Sequence, residues 1–296
     1  MNAFKILNLS LVLCLSTLCV YSQENNLFNQ LDSITPKGVQ YTYGTFKSTR
    51  VLNGHSNERM PQGQLDVRFE HRFGLMNQGY YQFFGLDQSS TLISLEYGIK
   101  DWIMVGLNRT SIDKTVSGFT KFSILRQSTG AIEMPVSLSL LLETSVIGIK
   151  WPDPTRDNLF SSRISYIGQL IIARKFNENL SLQLAPIWIH RNLVSAVIDK
   201  NDQFALGMAS RYKISRRSSI NIEYYPVFGS SWDHSRSYKN ALAVGFDIET
   251  GGHVFQLILS NTQGMIEKNF ITETTGNWLK GDLHLGFNIS RVFSLK

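Results

Sequence analysis

The chain has 296 residues, 29 Lys and Arg against 23 Asp and Glu, and two cysteines. That length allows one large β domain or two ordinary ones. The net charge of +6 comes with no basic run longer than Arg216-Arg217, which excludes a nucleic-acid footprint.

Residues 1–22 read as a cleaved secretory signal peptide. Lys5 precedes an apolar stretch, 6–20, and Ser22 offers a small residue at the cut. Asn8, Ser10, Ser16 and Thr17 interrupt the stretch, which is short for a membrane span. Cys14 and Cys19 both lie here, each preceded by Leu where a lipoprotein signal wants a small residue. The remainder, with a charge of +5 once Lys5 is gone, can hold no disulfide and no thiolate metal site. Export without disulfides points to a bacterial envelope.

Residues 23–63 are turn-rich, with Thr35-Pro36-Lys37-Gly38, a β-like stretch at 39–52, and Asn53-Gly54-His55-Ser56. They are expected to form a periplasmic extension, a lumen plug or one more strand. From residue 64 to 296 the dominant signal is alternation with period two. Leu65, Val67, Phe69, His71 and Phe73 alternate with Asp66, Arg68, Glu70 and Arg72, and Leu242, Val244, Phe246 and Ile248 with Ala243, Gly245 and Asp247. About twelve strands are predicted, at 65–74, 90–99, 102–111, 117–126, 134–149, 163–175, 180–190, 203–214, 218–228, 240–249, 253–261 and 280–293. Most are about 10 residues long, enough to cross a bilayer when tilted, where soluble strands average about five or six.

Tight connections at Lys100-Asp101, 177–179, 215–217 and 250–252 are separated by longer polar loops near 151–162, 191–202, 229–239 and 262–279. Short and long alternate strictly through the second half. An outer-membrane barrel does this, with short periplasmic turns and longer outer loops. The predicted fold is therefore all-β: a single up-and-down antiparallel transmembrane β-barrel of about 12 strands. The apolar faces carry almost no mid-strand charge and would face lipid. The opposite faces carry Arg68, Glu70, Arg72, Glu96, Lys121, Glu143, Arg211, Lys213, Glu223, Asp247, Asp282 and His284 among Ala and Gly, and would line a polar lumen. Trp102, Trp188, Tyr212, Phe228, Trp278 and Phe293 sit near strand ends, as interfacial girdles do. The last strand, with Phe293 close to the end, is similar to the signal read by barrel insertion machinery, although Ser294-Leu295-Lys296 follow it.

Three strings carry a family resemblance. They are Thr45-Phe46-Lys47-Ser48-Thr49-Arg50 with Asn53-Gly54-His55-Ser56, the run from Leu65 to Gly74, and Phe83-Phe84-Gly85-Leu86-Asp87-Gln88. With them the chain resembles the domain of unknown function 5777 family, outer-membrane β-barrels of the Bacteroidetes. The resemblance implies location and fold rather than activity. It marks Phe46, Lys47, Ser48, Thr49, Arg50, Asn53, Gly54 and His55, and the loop residues Gly85, Leu86, Asp87 and Gln88, as the positions that matter to the family.

Enzymatic signals are weak. The six histidines form no His-x-x-x-His pair, so no metal ligand set is expected. There is no Gly-x-Ser-x-Gly, and Gly251-Gly252 reads as a turn, so no cofactor is expected. The residues therefore favour a non-enzymatic outer-membrane protein after signal-peptide cleavage, with lipid and the insertion machinery as partners and an envelope protein as a further candidate. Three functions stay open: a narrow channel for small polar solutes, a closed barrel serving as a surface scaffold or docking partner, and an outer-membrane hydrolase. Tyr80, Tyr81, Phe83 and Phe84, expected in an outer loop, suit binding of a carbohydrate or protein, or packing on the barrel mouth.

Overall fold

A computed structural model describes residues 38–194, 199–229 and 238–295. The expected signal peptide lies outside these residues. Twelve strands form one closed antiparallel sheet: β1 (Gln64–Leu75), β2 (Ser89–Lys100), β3 (Ile103–Thr110), β4 (Val116–Leu125), β5 (Ser137–Val146), β6 (Ile164–Lys175), β7 (Leu180–Arg191), β8 (Asp202–Lys213), β9 (Ser218–Tyr225), β10 (Ala241–Thr250), β11 (His253–Ser260) and β12 (His284–Ser294). Each strand pairs with its neighbours in sequence. The ring closes where β12 meets β1, from His284 opposite Leu75 to Ser294 opposite Gln64. Closure leaves no sheet edge, so every strand can give its backbone groups a partner without water. The up-and-down barrel read from alternation is the fold observed.

Burial follows the same alternation. In β1, Asp66, Arg68, Glu70 and Arg72 are buried while Phe69 is half exposed to the outside. Trp102, Trp188, Tyr212, Phe228 and Phe293 are all outward-exposed near strand ends.

Several boundaries differ from the sequence reading, for local reasons. Strand nine breaks at Pro226, which has no N–H to give. Val227 and Phe228 resume the pairing with β8, opposite Ala205 and Phe204. Pro186 inside β7 has a similar effect. The β6–β7 ladder runs to Gln169 opposite Ile187 and resumes at Ile172 opposite Leu184. Strand five is shorter than expected because 134–136 belong to a turn, where Met134 bridges Ser128. Strand twelve begins at His284, not 280. Gly281, at φ +73°, closes the Trp278–Lys280 turn, and only then does the chain extend.

A larger departure concerns the lumen. The inner face was expected to be polar and small throughout. Across β5, β6 and β7 it is mixed, with Leu141, Ile167, Ile171, Ile187 and Ile189 buried among Ser139, Glu143, Gln169 and Gln183. The signal lay where alternation fails, in consecutive apolar residues such as Leu140-Leu141-Leu142 and Leu170-Ile171-Ile172.

Two segments occupy the interior. The first runs up from Gly44, turns at residues 51–54 and returns toward Gly63. Arg50 bridges His55, and the Val51 N–H donates to the Gly54 carbonyl at 2.8 Å. We call it the inner hairpin. It enters from the end with the tight turns: Lys47 pairs with Glu249 beside the β10–β11 turn, and the Arg59 Nε donates to the Asp101 carbonyl in the β2–β3 turn. The second segment is the β11–β12 connection, expected as a polar outer loop. Instead Met265, Ile266, Phe270 and Ile271 are fully buried, and a helix, α1 (Glu267–Thr272), lies among them. Four apolar side chains in a polar loop leave water when apolar wall residues such as Met104, Leu141, Ile167 and Ile171 stand open to them.

Candidate functional site

The inner hairpin has few backbone bonds of its own, so the wall must complete them. Inward side chains from seven strands do so, with Arg211 of β8 at the hairpin's base. From β9, the Glu223 carboxylate accepts the Asn53 and Gly54 N–H groups at 2.9 and 3.3 Å. From β11, the Gln256 amide donates to the Val51 carbonyl at 2.7 Å, and from β12 the Asn288 amide donates to Leu52 at 2.8 Å. From β7, Gln183 takes the Asn57 N–H at 3.0 Å and donates to the His55 carbonyl at 2.8 Å. From β4, the Lys121 ammonium donates to the carbonyls of Thr49, Ser56 and Glu58 at 3.2, 3.0 and 2.8 Å. From β1, Arg68 donates to the Thr49 hydroxyl at 3.0 Å, and Arg72 to the Asn53 side-chain oxygen at 2.7 Å. Phe46, Val51 and Leu52 fill the space above Ala173, Ala209 and Ala243, whose small side chains make room.

Arg50 is the centre of charge. It is fully buried, with Glu96, Glu70 and Glu267 at 3.7, 3.8 and 3.6 Å. Those three carboxylates come from β2, β1 and α1, so one cation ties two wall strands to the helix. His55 stacks edge-on against Phe119, with centroids 4.5 Å apart. Burial, then the charges of Arg50, Lys121 and Arg68, push its imidazole well below the ordinary range.

The sequence-derived lumen residues are placed as follows. Arg68, Glu70, Arg72, Glu96, Lys121 and Glu223 surround the hairpin tip. Arg211 and Asp247 lie nearer the tight-turn end, where Arg211 donates to the Gly44 carbonyl at 2.9 Å and Gln256 donates to Asp247 at 2.9 Å. His284 is buried at the long-loop end against the Phe73 carbonyl, 2.8 Å away. Asp282 is a correction: it does not line the lumen. Because β12 starts two residues later, Asp282 sits on the rim and accepts from Asn77 at 2.7 Å and from the Asn277 N–H at 3.0 Å.

The family-motif residues divide into two groups. Phe46, Ser48, Thr49, Arg50, Asn53, Gly54 and His55 are inside the barrel, with Lys47 at its entrance. Gly85, Leu86, Asp87 and Gln88 are at the opposite end, in the β1–β2 loop. There Gly85, at φ +86°, packs so closely on Gly74 that a Cβ would meet its carbonyl at 2.5 Å. Glu267 and α1 were missed by sequence reasoning, although Met265, Ile266, Phe270 and Ile271 were legible as an apolar island.

A family model described as a membrane-bound beta barrel domain, DUF5777, matches residues 46–293. The chain belongs to this family. The matched span of DUF5777 begins at Phe46, so the inner hairpin is part of the domain and not an appendage to it. Solved structures similar to this chain include the NanC porin (11% identity, TM-score 0.46), the KdgM porin (9%, 0.45) and the Acinetobacter baumannii outer membrane protein Omp33 (10%, 0.41). Each comparison covers 78% of this chain and nearly all of the other, 99%, 99% and 100% respectively. Likenesses at this level say nothing about a solute. No curated protein matches the sequence.

Gly54 gives a direct check on the seat of the hairpin. A Cβ there would land on the Tyr225 hydroxyl, whereas at Gly118 the nearest atom would be 3.8 Å away. Gly54→Ala is expected to cost about 1–3 kcal/mol by overpacking. Gly118→Ala should stay within roughly 0.5 kcal/mol. Urea midpoints of the refolded barrels measure both, and equal midpoints would mean the hairpin is not held against Tyr225.

Proposed function

We propose that this DUF5777 barrel sits in the outer membrane after signal-peptide removal, and that its inner hairpin plugs a narrow pore for small polar solutes. The observation that supports this is the wall itself. Strands around the ring aim Arg, Lys, Glu, Gln and Asn side chains inward, and Glu223, Gln183, Lys121, Gln256 and Asn288 all bond the hairpin, Gln256 and Asn288 while also bonding each other. A permanent core would be met more cheaply by apolar side chains, because buried charges carry a desolvation cost. Polar walls that bind a removable segment become a solvated pore once it leaves, since water replaces each lost hydrogen bond. Twelve strands lie between the filled eight-stranded barrels and the open sixteen-stranded porins, so the vacated lumen suits ions and small solutes.

The test is single-channel conductance in a planar bilayer, for the full chain and for a form lacking residues 23–63. The full chain is expected to be silent and the truncated form to give steady current. Current from both would make the hairpin a constriction rather than a plug. Silence from both, with the folded barrel verified, would refute conduction.

A second reading, a closed barrel that docks a partner, is favoured by one feature. Tyr80 and Tyr81, 86% and 83% exposed, stand with Phe83 and Phe84 at the long-loop mouth. Both Phe residues adopt positive φ, 45° and 54°, a conformation non-glycine residues rarely hold without need. Silence from both forms would leave this reading in place.

A further inference from the structure

Three elements each bring one ligand group to a single point inside the barrel. His55 comes from the returning limb of the inner hairpin, Glu143 from β5 and Glu267 from the first turn of α1. One donor atom of each lies within 4.8 Å of the other two. Exposure is 1%, 3% and 0% respectively. Neither ring nitrogen of His55, nor any oxygen of Glu143 or Glu267, has a well-formed hydrogen bond among the described residues. The cation nearest Glu267 is Arg50, at 3.6 Å, already shared with Glu70 and Glu96.

Charge around the hairpin tip is also unbalanced. Six buried carboxyls, Asp66, Glu70, Glu96, Glu143, Glu223 and Glu267, face four buried cations, Arg50, Arg68, Arg72 and Lys121. The cluster is therefore two positive charges short when all ten are ionised. Two remedies exist. Protons on Glu143 and Glu267 would neutralise the carboxyls, and one of them could be shared with His55 Nε2, 3.8 Å from Glu267. One divalent cation supplies the missing charge in one step and takes one donor atom from each of the three side chains.

We propose that His55, Glu143 and Glu267 bind one divalent cation, with zinc the best match to one imidazole and two carboxylates. Zinc takes His nitrogen and Glu oxygen at about 2.0–2.2 Å in tetrahedral sites with three protein ligands and one open position. Ligand atoms of such a site stand roughly 3.4 Å apart, so the two glutamates must rotate slightly inward. Such an ion would tie the hairpin (His55) and the inner helix (Glu267) to the wall (Glu143), a latch across the closed lumen. The binding claim stands by itself, and only the latch rests on reading the hairpin as a plug.

The site is buried, so the metal is loaded as the chain folds. The full chain is refolded in detergent with zinc, dialysed free of excess, and its metal content measured by mass spectrometry. About one zinc per chain is expected, falling at least roughly tenfold in His55→Ala and in Glu143→Gln. Refolding with cobalt instead should give the visible absorption of a low-coordinate site, lost in the same variants. Circular dichroism and heat-modifiable mobility establish that each variant is folded. If His55→Ala fails to fold, the volume-conserving Glu143→Gln and Glu267→Gln decide. Wild type holding less than about 0.1 zinc per chain, or variants holding as much as wild type, overturns the proposal. Conductance separates the two ideas. Stoichiometric zinc in a barrel that never conducts keeps the metal site and removes the pore. Current from the truncated form without zinc in the full chain does the reverse.

Discussion

Arg50→Met should turn a silent barrel into a conducting one. The substitution keeps most of the side-chain volume but removes the cation that faces Glu70, Glu96 and Glu267, all fully buried. Breaking a buried ion pair from one side typically costs about 3–5 kcal/mol, because a charge is left without compensation. Here three carboxylates lose their shared partner at once. The barrel wall cannot relieve that cost, since its closed backbone ladder is indifferent to the lumen. The hairpin can. It is held by side-chain contacts that water can replace, and its departure lets water reach all three carboxylates. Single-channel steps in a planar bilayer, with new protease cleavage between residues 38 and 62, are the expected outcome. A silent variant with a protected hairpin would show that the carboxylates neutralise in place and that Arg50 does not hold the plug.

Phe270→Ala is expected to give the largest loss of stability from a single apolar side chain. Phe270 is fully buried, meets Tyr225 edge-on with ring centroids 4.9 Å apart, and anchors α1 with Met265, Ile266 and Ile271. Deleting a buried ring costs about 3–5 kcal/mol through lost transfer and the cavity left behind. The aromatic pair adds roughly 0.5–1.5 kcal/mol. A six-residue helix has almost no stability of its own, so losing its anchor should release it from the lumen. Leu279→Ala, at a residue 97% exposed on the same connection, is the control and should change stability by less than about 0.5 kcal/mol. Urea unfolding of the refolded proteins measures both. A change below about 1 kcal/mol for Phe270→Ala would mean the helix packs loosely and the lumen has slack.

The strands were legible because membrane crossing imposes a strict repeat. Asp66, Arg68, Glu70 and Arg72 were placed inward from sequence because their neighbours Val67, Phe69 and His71 carry the outward parity, and a shift by one residue would reverse every side chain. Asp282 was misplaced by extending that parity past a turn: Gly281 resets the chain before β12 begins. The inward isoleucines of β6 and β7 were missed for a different reason. Where an inward apolar residue stands between outward apolar ones, as in Leu170-Ile171-Ile172, the hydrophobic pattern does not tell the faces apart.

Sequence alone thus determined the barrel, its strand count, the parity of its faces and its likeness to DUF5777. These depend on short-range periodicity, which any stretch of about 10 residues displays. What lies inside the ring was decided only by tertiary structure. Arg50 meets Glu267 across 217 positions of sequence, and His55 meets Glu267 beside Glu143 only because a hairpin from one end and a helix from the other arrive at the same depth. Neither segment repeats, and neither is stable by itself. Their shape is set by hydrogen bonds and apolar contacts offered by a wall that must first close, and no local pattern in the chain records that meeting.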